Sequence, residues 1–498
     1  MIRIDDLIKV VGARTLFAID HLSIGACDKV GLIGDNGTGK TTFLRILSSL
    51  DTDYAGRVQT NDEISYLLNN LEDELGFIYQ RRFQQNCSSS PGERQRLKLE
   101  RLLVDNKAFL LIDEPTSHLD IKQRKLLAKR LYSRNKGFIL VSHDRDFINQ
   151  TCTKIFELVN GKIEVYSGDY SFYLCEREKR YKCAEREYES YVKEKKRLLQ
   201  VANAIKQQSA KVKTTPKRMG NSEARLHKMG GQQNKKKLDK QVKATLERVN
   251  QLEVKSKPYQ NAAIKLNMDE REKIHSKVLI RAENLNKSFD SKVIFKNVNF
   301  TIDNTNKVAL LGDNGSGKTT LLNMILNGET WTHLNLRIGY HSQLGETLDY
   351  TKTILDNVLP YSIYDQSMTR IILARLGFKT NDVFKQFNVL SDGEKAKVKL
   401  AKLLTGNFNY LVMDEPTNFL DIRAIEALEE LLQGYDRPLL FVTHDVSFIN
   451  NVADSLLLIE NEKITGFEGN LQQYNEENEV YTNYHNENIC CYSLALHK

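Results

Sequence analysis

Short apolar runs bounded by polar loops recur along the chain and predict buried strands. Residues 29–33 (KVGLI) form one such run, which leads into a glycine-rich loop and then an amphipathic segment. Two further continuous runs are 108–112 (AFLLI) and 138–141 (FILV). Strands that are apolar at every position are typical of parallel sheets with helices on both faces. The pattern therefore predicts an α/β fold.

The same series of motifs occurs twice in the sequence. Residues 34–42 (GDNGTGKTT) return 278 positions later as 312–320 (GDNGSGKTT), whereas 113–116 (DEPT) return 301 positions later as 414–417. Because the spacing grows from 278 to 301, the second copy has 23 additional residues between these motifs. A repeat of this kind indicates a duplicated domain. The predicted organisation is a first domain at 1–170, a linker at 171–277, a second domain at 278–475 and a polar C-terminal extension at 476–498.

The amino-acid composition indicates the class of protein. The 498 residues are 41% hydrophobic and 27% charged, which allows two or three globular domains. No apolar run approaches the ~20 residues of a membrane-spanning helix, and the charged N-terminus (MIRID) is not typical of a signal peptide. The seven cysteines include no CxxC pair, so neither a zinc site nor a disulfide framework is indicated. We therefore expect a soluble, cytoplasmic protein.

Both glycine-rich loops have the pattern GxxxxGK[ST] between a strand and a helix, which strongly indicates phosphate binding. A chance glycine turn is the weaker interpretation, because the pattern occurs twice in the same context. Lys40 and Lys318 are expected to reach the β- and γ-phosphates of ATP, and Thr41 and Thr319 to ligate Mg²⁺. The predicted ATP-binding residues of the loops are Gly34, Asn36, Gly37, Gly39, Lys40, Thr41 and Thr42, and Gly312, Asn314, Gly315, Gly317, Lys318, Thr319 and Thr320.

A second motif ends an apolar strand with two carboxylates that suit different tasks. The aspartate is predicted to hold Mg²⁺ through water, and the glutamate to orient and polarise the attacking water. Helix capping is an alternative role, but it does not account for the apolar strand. A histidine after the next strand is predicted to sense the γ-phosphate, although a lone histidine is more often structural. These residues are Asp113, Glu114 and His143 in the first copy and Asp414, Glu415 and His444 in the second.

Together these motifs resemble the ABC ATPase superfamily. That family has a signature motif, LSGGE, which resembles 390–394 (LSDGE) and, less closely, 89–93 (SSPGE). The resemblance implies that the domains pair head to tail, with two ATP molecules sandwiched between loops and opposite signatures. Pro91 removes a backbone amide from one signature, and Asp392 adds a carboxylate to the other. The implied pairs are Lys40 with Ser391 and Gly393, and Lys318 with Ser90 and Gly92.

The resemblance also implies unequal sites. The family places an aromatic residue against adenine, and Phe289 fits that position in the second copy, whereas the first copy has Val11. Gln343 fits the family's glutamine loop, which contacts ATP and Mg²⁺, whereas the first copy has Asn69. We therefore expect the two ATP sites to differ in turnover.

The linker concentrates the positive charge of the chain. From Lys193 to Lys243 there are 16 Lys and Arg against three acids, a net charge of +13, whereas the whole chain has +8. Apolar residues at alternating steps of three and four in 181–205 and 238–252 predict two antiparallel helices, the first about 60 Å long. A solvated helix face is the alternative, but the excess lies at the predicted tip, 206–237, which suits RNA. The predicted RNA-binding residues are Lys211, Lys213, Lys217, Arg218, Arg225, His227, Lys228, Lys235, Lys236 and Lys237.

Two ABC domains joined by a basic helical linker, without membrane spans, resemble the ABC-F family over essentially the whole chain. The resemblance implies an ATPase that binds the ribosome, contacting rRNA and P-site tRNA, and directs its linker toward the peptidyl-transferase centre. Only 28 residues separate Lys40 from Asn69, which leaves no room for the arm of housekeeping members. The chain is therefore most similar to the antibiotic-resistance branch, which protects ribosomes from macrolides, lincosamides, streptogramins, pleuromutilins or phenicols. The alternatives are a housekeeping ABC-F translation factor, the ATPase subunit of an ABC transporter, and a DNA-repair or chromosome ATPase.

Overall fold

The structure, a computed structural model, describes most of the chain. Its contacts divide the chain into two compact units, Met1–Ser171 with Ala263–Lys498, and Phe172–Ala262. For 221–232 only the backbone is described. The described residues are 1–12, 14–67, 108–117, 119–212, 221–255, 265–267, 273–289, 292–304, 306–341, 348–379 and 381–478.

The first repeat, called the first domain below, is built on one mixed and one antiparallel sheet. The mixed sheet has the order β5-β6-β7-β3-β8-β9 and is parallel except for its last strand, and the antiparallel sheet has the order β2-β1-β4. Its strands are β1 Ile2–Val11, β2 Arg14–Ile24, β3 Lys29–Ile33, β4 Ala55–Thr60, β5 Ile64–Leu67, β6 Phe109–Asp113, β7 Phe138–Val141, β8 Lys154–Val159 and β9 Lys162–Tyr166. Its described helices are α1 Lys40–Leu47, α2 Ile121–Tyr132 and α3 Arg145–Thr151.

The linker unit consists of two long helices, α4 Tyr170–Lys211 and α5 Asn221–Gln251. They run in opposite directions, because Ser209 donates to Asp239 (2.6 Å) near one end and Lys255 pairs with Glu187 (3.4 Å) toward the other. Within the apolar repeat predicted at 181–205, Leu198 and Ala202 are buried, whereas Ala184 is exposed. Both helices extend into the predicted tip, 206–237, and α5 continues through Gly230 and Gly231.

The second domain repeats this topology. Its mixed sheet has the order β14-β15-β16-β12-β17-β18, and its antiparallel sheet has the order β11-β10-β13. The strands are β10 Val278–Phe289, β11 Lys292–Asp303, β12 Lys307–Gly312, β13 Trp331–Thr332, β14 Ile338–His341, β15 Tyr410–Asp414, β16 Leu439–Val442, β17 Ser455–Glu460 and β18 Lys463–Glu468. The helices are α6 Lys318–Leu326, α7 Ile354–Val358, α8 Gln366–Arg375, α9 Asp392–Thr405, α10 Ile422–Gln433 and α11 Val446–Val452, with 3₁₀ turns at Leu359–Tyr361, Asp382–Phe384 and Phe387–Val389.

The strands leading to the candidate site are buried in both domains. All five residues of β6 and the first four of β15 are buried, as expected for central strands covered on both faces. Helices α2 and α10 begin at equivalent N-terminal caps. Asp120 accepts a hydrogen bond from the Gln123 amide (2.9 Å), and Asp421 accepts one from the Ala424 amide (2.8 Å). The two halves therefore confirm the predicted α/β tandem fold.

Among the described residues, no helix combines the length and apolarity that crossing a membrane requires.

Candidate nucleotide-binding sites

The two glycine-rich loops have nearly the same geometry. The Lys40 ammonium donates to the carbonyls of Gly34 (2.6 Å) and Asp35 (3.1 Å), and the Lys318 ammonium donates to those of Gly312 (2.8 Å) and Asp313 (3.1 Å). Gly39 has a φ of 102°, a left-handed conformation that glycine adopts without strain. Each lysine is thus held under a tight backbone loop.

Each loop ends at the start of a helix that has no side-chain cap. Gly39 precedes α1 and Gly317 precedes α6, and neither position provides a side-chain hydrogen bond to the first helical amides. The first four amides of a helix have no intrahelical acceptor, and the helix dipole is positive there. A phosphate group would satisfy these amides, as in other loops of this type.

A hydroxyl and a carboxylate meet beside each loop. Thr41 Oγ1 donates to Asp113 Oδ2 (2.8 Å), and Thr319 Oγ1 donates to Asp414 Oδ2 (3.2 Å). Burial raises the pKa of both aspartates above its usual range. This donor set fits Mg²⁺, which prefers hard oxygen ligands and shares its coordination with water and phosphate. Within the described residues, no group of three His, Cys, Asp or Glu side chains could hold a metal ion.

The glutamate that follows each aspartate points to the histidine of its own domain. Glu114 Oε1 is 3.4 Å from His143 Nε2, and Glu415 Oε1 is 3.6 Å from His444 Nε2. Both glutamates have positive φ, 46° and 48°, which is uncommon outside glycine and is typical of functional positions. Glu114 shares the lining of one cavity with the first glycine-rich loop.

Burial controls the protonation of these four groups. It raises the pKa of Glu114 to about 8, with the charge of Asp113 adding to the effect. It raises the pKa of Glu415 to about 7, where Arg124 of the first domain acts in the opposite direction. Burial and the nearby loop lysine lower the pKa of each histidine to about 3. Both imidazoles are therefore neutral at pH 7 and can accept or donate one hydrogen bond.

A cavity of about 280 Å³ opens at the first loop. Its lining combines phosphate-loop residues with the carboxylates and the histidine of the first domain. Leu16 and Val141 supply apolar surface, but Val11 is not part of this lining and is 55% exposed. The sequence-predicted residues brought together here are Asn36, Gly37, Gly39, Lys40, Thr41, Thr42, Asp113, Glu114 and His143.

The second domain lies directly against the first loop. Asn36 Nδ2 donates to the Phe419 carbonyl (2.9 Å), and the Asn36 amide donates to Asp421 Oδ2 (3.4 Å). A Cβ placed on Gly393 would lie 2.6 Å from Asn36 Nδ2, so the signature of the second domain contacts the first loop. Asp392 is exposed and pairs with Lys395 (3.3 Å), so its carboxylate points away from the loop.

Two interdomain ion pairs were not anticipated from the sequence. Arg423 at the start of α10 pairs with Asp35 of the first loop (3.2 Å), and Lys122 at the start of α2 pairs with Asp313 of the second loop (2.9 Å). Arg423 also contacts Glu157 (3.1 Å). The sequence does contain a signal for these pairs, because Lys122 and Arg423 occupy equivalent positions of the repeat, as do Asp35 and Asp313. The signal emerges when the two copies are compared and is absent from either copy alone.

Several predicted residues lie outside the described part of the chain. They are Asn69, Ser90, Pro91, Gly92 and Gln343 at the ATP sites, and Lys213, Lys217 and Arg218 in the linker, while Arg225, His227 and Lys228 have a described backbone only. In the described part, Phe289 is 54% exposed at the end of β10, and Lys211, Lys235, Lys236 and Lys237 are exposed on the linker helices.

Comparison with known proteins places these sites in a family. An ABC transporter family model matches residues 19–88 and 295–418. The chain is 32% identical to the ribosome protection protein VmlR of Bacillus subtilis, over 91% of this chain and 85% of that protein. The chain belongs to the ABC-F family. It is also 32% identical to the erythromycin resistance ATP-binding protein MsrA of Staphylococcus epidermidis, over 90% of this chain and 94% of that protein, and it groups with the antibiotic-resistance branch.

Solved structures agree on the architecture. The structure of an RNase-L inhibitor superimposes with a TM-score of 0.60 at 18% identity, covering 94% of this chain and 91% of that one.

Further relatives from Arabidopsis thaliana and Bos taurus carry the F-family designation in their names. This ABC-F chain is accordingly an ATPase with two ATP-binding domains.

Proposed function

We propose that this ABC-F ATPase binds the ribosome with its domains closed on ATP and protects the ribosome from antibiotics. One observation carries the proposal: the first phosphate loop and the opposite signature already meet at Asn36 and Gly393, in a chain whose linker is a basic pair of helices. The names of two relatives, one a ribosome protection protein and one an erythromycin resistance protein, support the same function.

At each ATP site the residues have separate tasks in this proposal. Lys40 and Lys318 bind the β- and γ-phosphates, and the uncapped amides of α1 and α6 bind the same groups. Thr41 with Asp113, and Thr319 with Asp414, hold Mg²⁺, which neutralises phosphate charge when bound. Ser391 and Gly393 contact the nucleotide on the first loop, while Ser90 and Gly92 contact that on the second.

Hydrolysis would use the buried glutamates. Glu114 and Glu415 accept a hydrogen bond from the attacking water and orient it toward the γ-phosphate. The neutral imidazoles of His143 and His444 donate to the γ-phosphate and report whether it is present. Loss of that contact after hydrolysis removes part of the attraction between the domains, so the domains open and the ribosome is released.

The linker would act on the ribosome itself. Lys211 and Lys235–Lys237 are exposed on α4 and α5, near the segment that connects these helices. Neutralising RNA phosphates releases counterions and makes binding dependent on salt. Directed toward the peptidyl-transferase centre, with P-site tRNA nearby, the tip would displace or loosen a macrolide, lincosamide, streptogramin, pleuromutilin or phenicol.

Sedimentation of Glu114→Gln/Glu415→Gln protein with ribosomes through sucrose, with and without ATP, tests the proposal. Both substitutions retain the shape of the side chain but remove the carboxyl group that would orient the attacking water, so the chain should bind ATP and remain closed. ATP-dependent co-migration is the expected result. No co-migration while ATP binding is intact would reject ribosome binding and favour a membrane partner.

A susceptibility panel then separates protection from housekeeping. Cells that express the wild-type chain should tolerate at least one of the five drug classes better than cells expressing Lys40→Ala/Lys318→Ala protein. Ribosome binding without any change in tolerance would favour a housekeeping translation factor.

A further inference from the structure

Arg124, in helix α2 of the first domain, connects three loops. Its Nε donates to the Leu119 carbonyl (2.9 Å), and its Nη1 donates to Asp144 Oδ2 (2.7 Å) and to the backbone carbonyl of His444 (3.0 Å). The Arg124 side chain is only 15% exposed. One guanidinium thus joins the loop after Glu114, the loop after His143 and the histidine loop of the other domain.

The contact with His444 crosses the domain interface into the second ATP site. The peptide carbonyl of His444 belongs to the same residue as the imidazole that lies 3.6 Å from Glu415. Fixing that carbonyl restricts the backbone from which the ring projects. A hydrogen bond from a charged donor in a shielded place is stronger than one between neutral groups.

The arrangement is present on one side only. The repeat places Ile425 of the second domain where the first domain has Arg124. Ile425 is fully apolar and packs in the core of the second domain, 1% exposed. At this position of the repeat, the second domain has an apolar core residue where the first domain has a guanidinium that reaches the other ATP site.

The His143 loop of the first site has other support. Asp144 Oδ1 accepts from the Phe147 amide (2.9 Å) as the cap of α3, and the Asp144 amide donates to Ser142 Oγ (3.1 Å). The His444 loop has the equivalent two bonds, from the Phe448 amide to Asp445 Oδ1 (2.9 Å) and from the Asp445 amide to Thr443 Oγ1 (3.3 Å). What differs is the atom that Arg124 holds, which is the backbone carbonyl of the histidine in the second site and the side chain of the neighbouring Asp144 in the first. Removing Arg124 would therefore release the histidine backbone directly in the second site, whereas the two bonds at Asp144 would remain in the first.

We propose that Arg124 is a positioning residue for the second ATP site, supplied by the first domain when the two domains close. It holds the His444 backbone so that the imidazole faces the γ-phosphate and Glu415. This inference rests on the ATP-site assignments proposed above, but it is independent of ribosome binding.

The test measures steady-state ATP hydrolysis without ribosomes in two backgrounds. Glu114→Gln leaves hydrolysis to the second site, and Glu415→Gln leaves it to the first. In Glu114→Gln protein, Arg124→Ala should lower kcat about tenfold and leave KM within about twofold, since one charge-assisted hydrogen bond is lost. In Glu415→Gln protein, the same change should alter kcat by less than about twofold. Arg124→Lys, which keeps the charge, should recover part of the loss.

Two measurements keep the result decisive. Lys129→Ala, which removes an exposed charge from the same helix, should leave kcat unchanged in both backgrounds. If the two sites are coupled, neither Gln variant hydrolyses ATP. In that case single-turnover hydrolysis is measured in the chain that keeps both glutamates. Arg124→Ala should then slow the half of the product amplitude that comes from the second site. Equal losses at both sites, or no loss at the second, would overturn the inference. Failure of ribosome co-sedimentation would reject the proposed function and leave this result standing.

Discussion

Arg145 of the first domain donates both terminal nitrogens of its guanidinium to Glu429 of the second domain. Both side chains are less than a tenth exposed, and Asn451 donates to the same carboxylate (3.1 Å). Asp445 lies 3.9 Å from the guanidinium. Arg145 begins α3, directly after the loop that carries His143. The two domains are thus joined by a buried ion pair next to the histidine loops.

Breaking this pair from one side should be costly. Arg145→Met leaves the Glu429 carboxylate buried without its cation and should destabilise the chain by about 3–5 kcal/mol. Arg145→Met/Glu429→Met replaces both charges by apolar groups of similar volume and should recover part of that loss, because Asp445 still lacks the nearby cation. Thermal unfolding of the wild type, Arg145→Met, Glu429→Met and the double variant measures the differences in stability. A double variant as unstable as Arg145→Met would contradict the assignment.

Closure should fail if the signature glycine gains a side chain. A Cβ on Gly393 would lie 2.6 Å from Asn36 Nδ2 and 2.7 Å from the Phe419 carbonyl. Gly393→Ala should therefore cost roughly 1–3 kcal/mol in the closed form, about a 5- to 150-fold loss of turnover. ATP binding to the separate loops should persist.

Gly466→Ala is the matched control for this substitution. The added Cβ would be 3.8 Å from Leu457, an ordinary contact. Turnover by Gly466→Ala protein should therefore match the wild type, and a comparable loss in both variants would show that the effect is not one of closure.

Adenine binding should differ between the two sites. Phe289 presents an exposed aromatic ring at the end of β10, whereas Val11 occupies the corresponding end of β1. Stacking of a base on an aromatic ring contributes about 1–3 kcal/mol. Phe289→Ala should weaken ATP binding at the second site about tenfold, and Val11→Ala should change binding at the first site by less than about twofold. Titration of Lys40→Ala and Lys318→Ala proteins with ATP separates the two sites.

Much of each candidate site could be predicted from the sequence because its parts are local. The loop from Gly34 to Thr41 is one continuous segment, and its lysine and threonine lie where the motif predicts. Glu114 and His143 each follow a buried strand, and neighbouring parallel strands end at the same edge of a sheet. Periodicity and motif spacing are sufficient for such features.

The interdomain contacts of Arg145 and Arg124 could not be found in this way. Arg145 and Glu429 are 284 residues apart, and neither belongs to a pattern that repeats in the other copy. Arg124 is one cation among several on α2, and only its position against the second domain distinguishes it. Such pairs depend on how two folded surfaces meet, which local propensities do not encode.

The linker lysines should contribute to ribosome affinity through charge. Lys235→Glu/Lys236→Glu/Lys237→Glu protein should bind ribosomes more weakly, and its salt slope should fall by about 3 if each lysine neutralises one phosphate. The control reverses Lys129, Lys162 and Lys463, three exposed lysines outside the linker. Binding measured at several salt concentrations distinguishes the two triple variants. An unchanged affinity and slope in the first would remove the linker from the RNA contact.

The one-sided pair of Arg145 and Glu429 also bears on the ancestry of the chain. When the two halves are aligned, Val446 is equivalent to Arg145, and Ala128 is equivalent to Glu429. A homodimer of the second half would bury two Glu429 carboxylates against valine and leave them without a cation. In a homodimer of the first half, Arg145 would face alanine, with Asp144 in place of Asp445 as its one remaining carboxylate from this cluster. The duplicated halves have therefore ceased to be equivalent, and a chimera carrying two copies of the second half should not assemble.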